Sequence, residues 1–242
     1  MLSKCKAIVI KTINYSESSV VLKCFTDLYG IQSYLINGVR SKKGVIRPSQ
    51  LMPLTLLEIE AYHQQNKNLQ RIKELKCTPQ LNSVHFDVHK SAIGIFVAEI
   101  MYKSIKEENH ADLAMFTFLH SSIQLLDLQV DKLANYPVFF LLQLSRYLGF
   151  QPKGTFDDST NGFDFREGIF ESYSSRNPFQ LSPDLSQQLA YLLNSNASNF
   201  QEMTIQYEDR LQLLNCIIEY YQTHVDGFYE INSHKILAEV LS

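Results

Sequence analysis

Between Ala7 and Leu75 the apolar residues fall into short β-branched runs separated by turn residues. The runs are Ala7–Thr12, Ser19–Thr26, Ile31–Asn37, Leu54–Tyr62 and Leu69–Leu75. Ser16-Glu17-Ser18, Asp27-Leu28-Tyr29-Gly30 and a Gln/Asn-rich stretch after Tyr62 supply turns between them. Five strands of this length and spacing predict a small antiparallel barrel. Beyond Thr78-Pro79 the period changes to three and four, at Ile93, Phe96, Val97 and Ile100, at Phe116, Leu119, Ile123 and Leu126, and from Tyr207 to Tyr221. Pro137 opens a further helix that Gly149 ends. Between Gln151 and Pro178 the helical pattern fails, and Phe163-Asp164-Phe165-Arg166 alternates before Gly168, which predicts a loop with a small hairpin set into the helices. The fold class expected is α+β with more than one domain: a five-stranded barrel over residues 1–80, then an all-α domain over 81–242 with an insert at about 151–178.

The chain has 242 residues, enough for two ordinary domains, and 45% of them are hydrophobic, which excludes a disordered chain. Its longest apolar stretch, Val138 to Leu144, is interrupted by Gln143 and is far too short to cross a bilayer. Lys6 and Lys11 bracket the apolar run near the N-terminus, so no export signal is expected and the protein reads as cytoplasmic. Cys5, Cys24, Cys77 and Cys216 are scattered among apolar or strand-like neighbours and read as buried thiols.

The net charge of −3 hides a division along the chain. Residues 1–80 carry twelve Lys or Arg against five Asp or Glu, and residues 81–242 carry ten against twenty, so the parts are +7 and −10. The first part suits polyanions and the second would repel them.

Catalytic constellations are sparse. The sequence has no phosphate-binding GxxxxGK[ST] loop, no GxGxxG, no HExxH and no GxSxG. His85 and His89 stand one helical turn apart around Asp87, a spacing that can bind metal, but with no further ligand in sight they read as a solvated polar stripe at a helix start. Asp157-Asp158 lacks calcium-loop spacing and reads as a polar turn. Glu58 and Glu60 share a strand face, short of the several acidic residues a metal-dependent nuclease assembles. No catalytic residue, metal site or cofactor is expected, and the protein is read as a non-enzyme.

The basic part is more informative, although cations on a loop can also be simply solvated. Gly38 to Arg47 places Arg40, Lys42, Lys43 and Arg47 on a glycine-bounded connection between strands, the arrangement phosphate contact requires. Lys4, Lys6, Lys11 and Lys23 lie on or beside the first two strands. Aromatic side chains such as Tyr15, Tyr34 and Tyr62 are available to stack on bases or to pack in the core.

The sequence here resembles the recombination mediator RecO family. The resemblance rests on Lys6-Ala7-Ile8-Val9-Ile10-Lys11-Thr12 followed by Tyr15-Ser16-Glu17-Ser18, then Cys24-Phe25-Thr26 and Tyr29-Gly30. It continues at Gly38-Val39-Arg40-Ser41-Lys42-Lys43, at Leu51-Met52-Pro53-Leu54-Thr55-Leu56-Leu57-Glu58 and at Tyr147-Leu148-Gly149-Phe150-Gln151-Pro152. It implies an N-terminal OB-fold and a helical domain acting without catalysis in recombinational repair. Such proteins bind single- and double-stranded DNA and anneal complementary strands. With RecR, and in some lineages RecF, they help RecA replace the single-strand-binding protein SSB. Carried onto this chain, the DNA-binding residues would be Lys6, Lys11, Lys23, Arg40, Lys42, Lys43, Arg47 and Tyr34. Some relatives take the acidic, hydrophobic tail of SSB on the helical domain, for which Arg146 with Phe140 and Leu144 is the candidate here. Many members also hold a structural zinc by two cysteine pairs after the segment matching Leu148-Gly149-Phe150, whereas residues 151–178 here contain no cysteine. The alternative from another class is a peptide-binding adaptor whose barrel does not bind DNA.

Overall fold

The computed structural model describes residues 2–39, 46–64, 67–106 and 110–241. They pack as two compact units, residues 1–128 and residues 129–242. The change from strands to helices lies between Cys77 and Val88, so the first two helices pack within the same unit as the strands.

In the first unit, β1 (Leu2–Asn14), β2 (Val20–Thr26), β3 (Gly30–Ile36), β4 (Leu56–Tyr62) and β5 (Leu69–Cys77) form a closed barrel in the order β1-β2-β3-β5-β4. Four of the five pairings are antiparallel and β3 with β5 is parallel, which refines the expectation of an antiparallel barrel. The reason is parity: a ring with an odd number of strands cannot alternate direction throughout. The interior is lined from successive strands by Cys5, Ala7 and Val9, by Val20, Leu22 and Cys24, by Tyr34 and Ile36, and by Leu57, Ile59 and Ala61. Every second residue of each strand faces in, so the residues between them face out.

Outward does not mean exposed everywhere. Ile8, Ile10, Phe25 and Leu56 are buried although none belongs to the interior lining. Helix α1 (Val88–Ser104) packs on β1, and Phe25 meets Phe116 of α2 (Leu113–Leu128), ring centroids 6.1 Å apart. This double burial is why Ala7 to Ile10 reads as a continuous apolar run rather than an alternating one.

The turn leading into α1 is fastened by one carboxylate. Asp127, in the last turn of α2, accepts the backbone N–H groups of Asn82 (2.9 Å), Ser83 (2.7 Å) and Val84 (3.0 Å). The buried Lys90 ammonium donates to the Asp127 carbonyl and to the Ser83 hydroxyl, both at 2.7 Å. Burial pushes the Asp127 carboxyl up, but these amide and hydroxyl donors outweigh it and hold it below the usual carboxylate range.

The second unit consists of α3 (Tyr136–Leu148), a three-stranded sheet of β6 (Gly162–Asp164), β7 (Ile169–Glu171) and β8 (Gln180–Leu181), then α4 (Pro183–Asn194), α5 (Tyr207–His224) and α6 (Ser233–Val240). The expected hairpin is β6 with β7, and β8 adds a third strand on the other side of β6. Asp164 organises this insert: its carboxylate accepts from the backbones of Arg166 and Glu167, both at 2.9 Å, and from the Asn177 side chain at 2.8 Å. Phe163 packs on Phe170, centroids 5.0 Å apart, and the Ser186 hydroxyl accepts the Phe163 N–H. Gly168 makes the turn at φ +71°, where a Cβ would lie 2.7 Å from the Tyr220 ring. Only glycine meets both conditions.

Asp127→Asn should cost about 1–3 kcal/mol, because three backbone N–H donors, that of Val84 buried, would face a neutral amide. A carboxyl whose folded pKa is depressed contributes stability that is fully present above its unfolded value of about 3.9 and is lost as pH falls through the folded value. Denaturant titrations from pH 6 to 2 should therefore show an acid-side decline in the wild type that is shallower in Asp127→Asn; parallel curves would exclude this carboxylate as a major contributor. In the second unit, Gly168→Ala should lower stability by roughly 1–3 kcal/mol, read as a drop in thermal midpoint, from left-handed strain and the clash with Tyr220.

Candidate nucleic-acid interface

Outward positions on four barrel strands line up in two rows. Lys11 pairs with Lys23, Lys23 with Ser33 and Ser33 with Leu69; beside them run Ile13, Val21, Leu35 and Arg71. Lys11 reaches this face only because β1 shifts register between Val9 and Lys11. Cys5, Ala7 and Val9 face the interior, so strict alternation would send Lys11 inward as well. A β-bulge at Ile10 absorbs one residue and turns Lys11 out, directly opposite Lys23.

Tyr102, in the last turn of α1, lies against both cations: the Lys11 ammonium is 4.6 Å and the Lys23 ammonium 4.9 Å from its ring centroid. Tyr15, 64% exposed, follows β1, and Tyr62, 49% exposed, pairs with Arg71 across β4 and β5. Lys67 and Arg71 border a concavity of about 270 Å³ together with Tyr62, Gln64, Leu69 and Gln70. The buried Gln70 side chain ties Gln64 and Lys67 together, accepting the Gln64 N–H at 3.0 Å and donating to the carbonyls of Gln64 (3.0 Å) and Lys67 (2.6 Å). This face carries cations, apolar positions and exposed aromatic rings, the three elements by which backbone-tracking surfaces hold single strands.

The other expected residues are distributed differently. Lys6 is exposed but lies opposite Glu58 on β4, and Lys4 opposite Glu60. Lys73 also binds Glu60, at 3.0 Å. That side of the barrel is charge-balanced, and Lys6 is five residues, roughly 16 Å of strand, from Lys11. Arg47 is exposed, with its backbone N–H donated to Gln50. Arg40, Lys42 and Lys43 lie outside the described residues.

Tyr34 must be corrected. It is fully buried in the barrel interior, its hydroxyl 3.3 Å from His63 Nε2 and 3.7 Å from Cys5 Sγ, so no base can stack on it. Burial holds its phenol protonated and raises the Cys5 thiol to about 11. Burial also lowers the pKa of His63, which stacks on Tyr29 with centroids 3.9 Å apart. Phe140 and Leu144 need the same correction: they are 1% and 0% exposed, inside the second unit, and line no open groove. Arg146 is exposed, but its guanidinium donates to the Leu193 carbonyl near the end of α4 at 2.6 Å. Of the thiols, Cys5, Cys24 and Cys216 are buried as expected, while Cys77 is half-buried.

The metal alternatives resolve into ordinary contacts. His85 Nε2 lies 2.8 Å from the Pro53 carbonyl oxygen, while His89 is exposed beside Asp87, so the two imidazoles have separate partners. Asp157 accepts the N–H groups of Ser159 and Thr160, as a turn carboxylate does. Among the described residues no group of three His, Cys, Asp or Glu could hold a metal ion, and no helix is long and apolar enough to cross a membrane.

Sequence reasoning missed Tyr102, Lys67 and Arg71 as members of this face. Tyr102 belongs to the helical period, and nothing local shows that the end of α1 comes to lie over β1 and β2. Arg71 was legible in principle, since it stands at an outward position of the fifth predicted strand.

The family model for the N-terminal part of recombination protein O matches residues 1–80, and the model for its C-terminal part matches residues 85–230. A DNA repair protein RecO of Flavobacterium psychrophilum is 37% identical over 244 residues, covering 99% of both chains. Proteins of the same name from Flavobacterium johnsoniae and Bacteroides fragilis are 34% and 33% identical, each again over 99% of both chains.

The Asp164 contacts imply that the insert needs no metal to keep its shape. Elemental analysis of purified protein should find well under one zinc per chain, and a chelator should leave the thermal midpoint in place. Stoichiometric zinc, or a chelator-induced drop, would show that metal does the work here ascribed to Asp164.

Proposed function

The chain belongs to the RecO family, and from that premise we propose that it is a non-enzymatic recombination mediator that binds single- and double-stranded DNA and anneals complementary strands. On the same premise it works with RecR, and in concert with RecF where that protein takes part, to help RecA load onto DNA covered by SSB, whose C-terminal tail it contacts. Its place of action is the cytoplasm, at the nucleoid.

The observation that carries the DNA reading is the pairing of Lys11 with Lys23 on an outward barrel face. Like charges directly opposite on neighbouring strands are destabilising, and a bulge is spent on bringing the second one out. Such a pair has a physical use when a polyanion lies over it. Arg71 and Lys67 continue the positive charge toward the far side of the face, while Ile13, Val21 and Leu35 offer apolar ground for sugars and base faces. Arg40, Lys42, Lys43 and Arg47 belong to the proposal through their place in the chain, because the connection that carries them starts from the end of β3. There Ser19, next to β2, donates its hydroxyl to Asn37 at 3.0 Å.

Binding of this kind is governed by counterion release. If about five phosphates of a single strand are neutralised, log K should fall with log salt at a slope of roughly −3.5. Lys11→Gln with Lys23→Gln should reduce the magnitude of that slope by about 1.4, and Arg40, Lys42 and Lys43 replaced together by about 2. Annealing follows from the same charge, since a cationic face screens the repulsion between two strands. Fluorescence-monitored annealing of complementary oligonucleotides, bare and SSB-coated, separates a mediator from a passive binder. A protein that forms no complex with DNA at low salt would instead be the peptide-binding adaptor.

A further inference from the structure

We propose that Tyr102 is a positioning residue for DNA: its ring holds the Lys11 and Lys23 ammonium groups together as a preformed clamp for the phosphodiester backbone. The proposal rests on the DNA-binding reading and adds to it a residue from outside the barrel.

The geometry is specific. Both ammonium groups lie within the roughly 6 Å over which a ring quadrupole attracts a cation. Their Cα positions are register partners, so the strands alone fix only where the two side chains begin. Each carries a four-carbon stem whose rotamers are free in solution, and mutual repulsion would splay the charged ends apart. A shared ring opposes both tendencies. An aromatic ring attracts a cation and itself leaves the cation's charge in place.

Tyr102 is 40% exposed, so its own burial is incomplete and its replacement leaves the interior lining untouched. The ring differs in role from Tyr15 and Tyr62, which are more exposed. With ammonium groups over it, the ring acts on nucleic acid through the lysines.

The test uses the full chain and an oligothymidylate about twenty nucleotides long, titrated over a range of salt. Tyr102→Leu should weaken binding roughly fivefold at fixed salt with the slope unchanged, because the charges remain and only their placement is lost. Tyr102→Phe keeps a ring and should bind as the wild type does. In the Lys11→Gln/Lys23→Gln background, Tyr102→Leu should have no further effect. An equal loss in that background would mean that the ring touches nucleic acid itself, and would overturn the positioning role while leaving DNA binding intact.

A second readout needs no DNA. In protein labelled with 13C-lysine, the ε-methylene protons of Lys11 and Lys23 should be shifted upfield by the ring, and the shift should vanish in Tyr102→Leu and persist in Tyr102→Phe. Absence of the shift in the wild type would overturn the proposal alone. Wild-type affinity and slope in Lys11→Gln/Lys23→Gln would instead overturn the DNA reading of this face, and the clamp with it.

Discussion

The placement of positive charge on this barrel depends on a single bulge in β1. Up to Val9 the strand sends alternate residues into the interior, and the pattern of Cys5, Ala7 and Val9 would carry Lys11 with them. A buried ammonium among Leu22, Cys24 and Ile59 would be costly enough to forbid the fold unless it were neutralised. The register shift after Val9 removes that conflict, and it also brings Lys11 out directly opposite Lys23.

The helices that follow the barrel complete the face rather than merely cover it. Packing of α1 on β1 buries Ile8 and Ile10, and the same helix ends with Tyr102 over the two lysines. Asp127 and Lys90 hold the approach to α1 in place by hydrogen bonds to three consecutive backbone N–H groups and to the carbonyl of Asp127 itself. A surface site on the strands therefore depends on a buried polar cluster in the helices. The first unit ends at Leu128, one residue after that cluster.

Much of the architecture was legible. The five strands, the helix from Pro137 to Gly149 and the hairpin after Asn161 follow from periodicity and turn residues, because each of those signals is local. Gly149 at φ 86° ends α3 as the sequence predicts. Helix α4 carries a comparable signal in Ser182 and Pro183, a capping side chain and a first-turn proline, yet it lies beyond the insert where the helical pattern resumes after a break. The site was less legible than the fold. Whether a strand aromatic faces in or out depends on register, and Tyr34 shares a strand with outward Ser33 and Leu35. Phe140 and Leu144 belong to a helix buried along nearly its whole length, so the apolar side chains offered with Arg146 for the SSB tail are core instead. Tyr102 required knowledge of how a helix crosses strands nearly eighty positions earlier in the chain, which no local pattern contains.

The paired lysines make sense as a compromise between stability and recognition. In the absence of ligand, two ammonium groups at one cross-strand position raise the energy of the folded barrel by some tenths of a kcal/mol, and the ring offsets a comparable amount. On the proposed DNA-binding reading, a phosphodiester would relieve the repulsion directly and release counterions from the DNA, so that an interaction unfavourable in the free protein would turn favourable in the complex. Nearer the start of β1, Lys4 and Lys6 instead have Glu60 and Glu58 as their register partners, so opposite charges stand across the strands there. A phosphate arriving there would meet Glu58 and Glu60, whereas beside Lys11 and Lys23 it would meet the Tyr102 ring. Two lysine-bearing surfaces on one barrel thus differ in what they can bind because of the residues opposite them, with no difference in the lysines themselves.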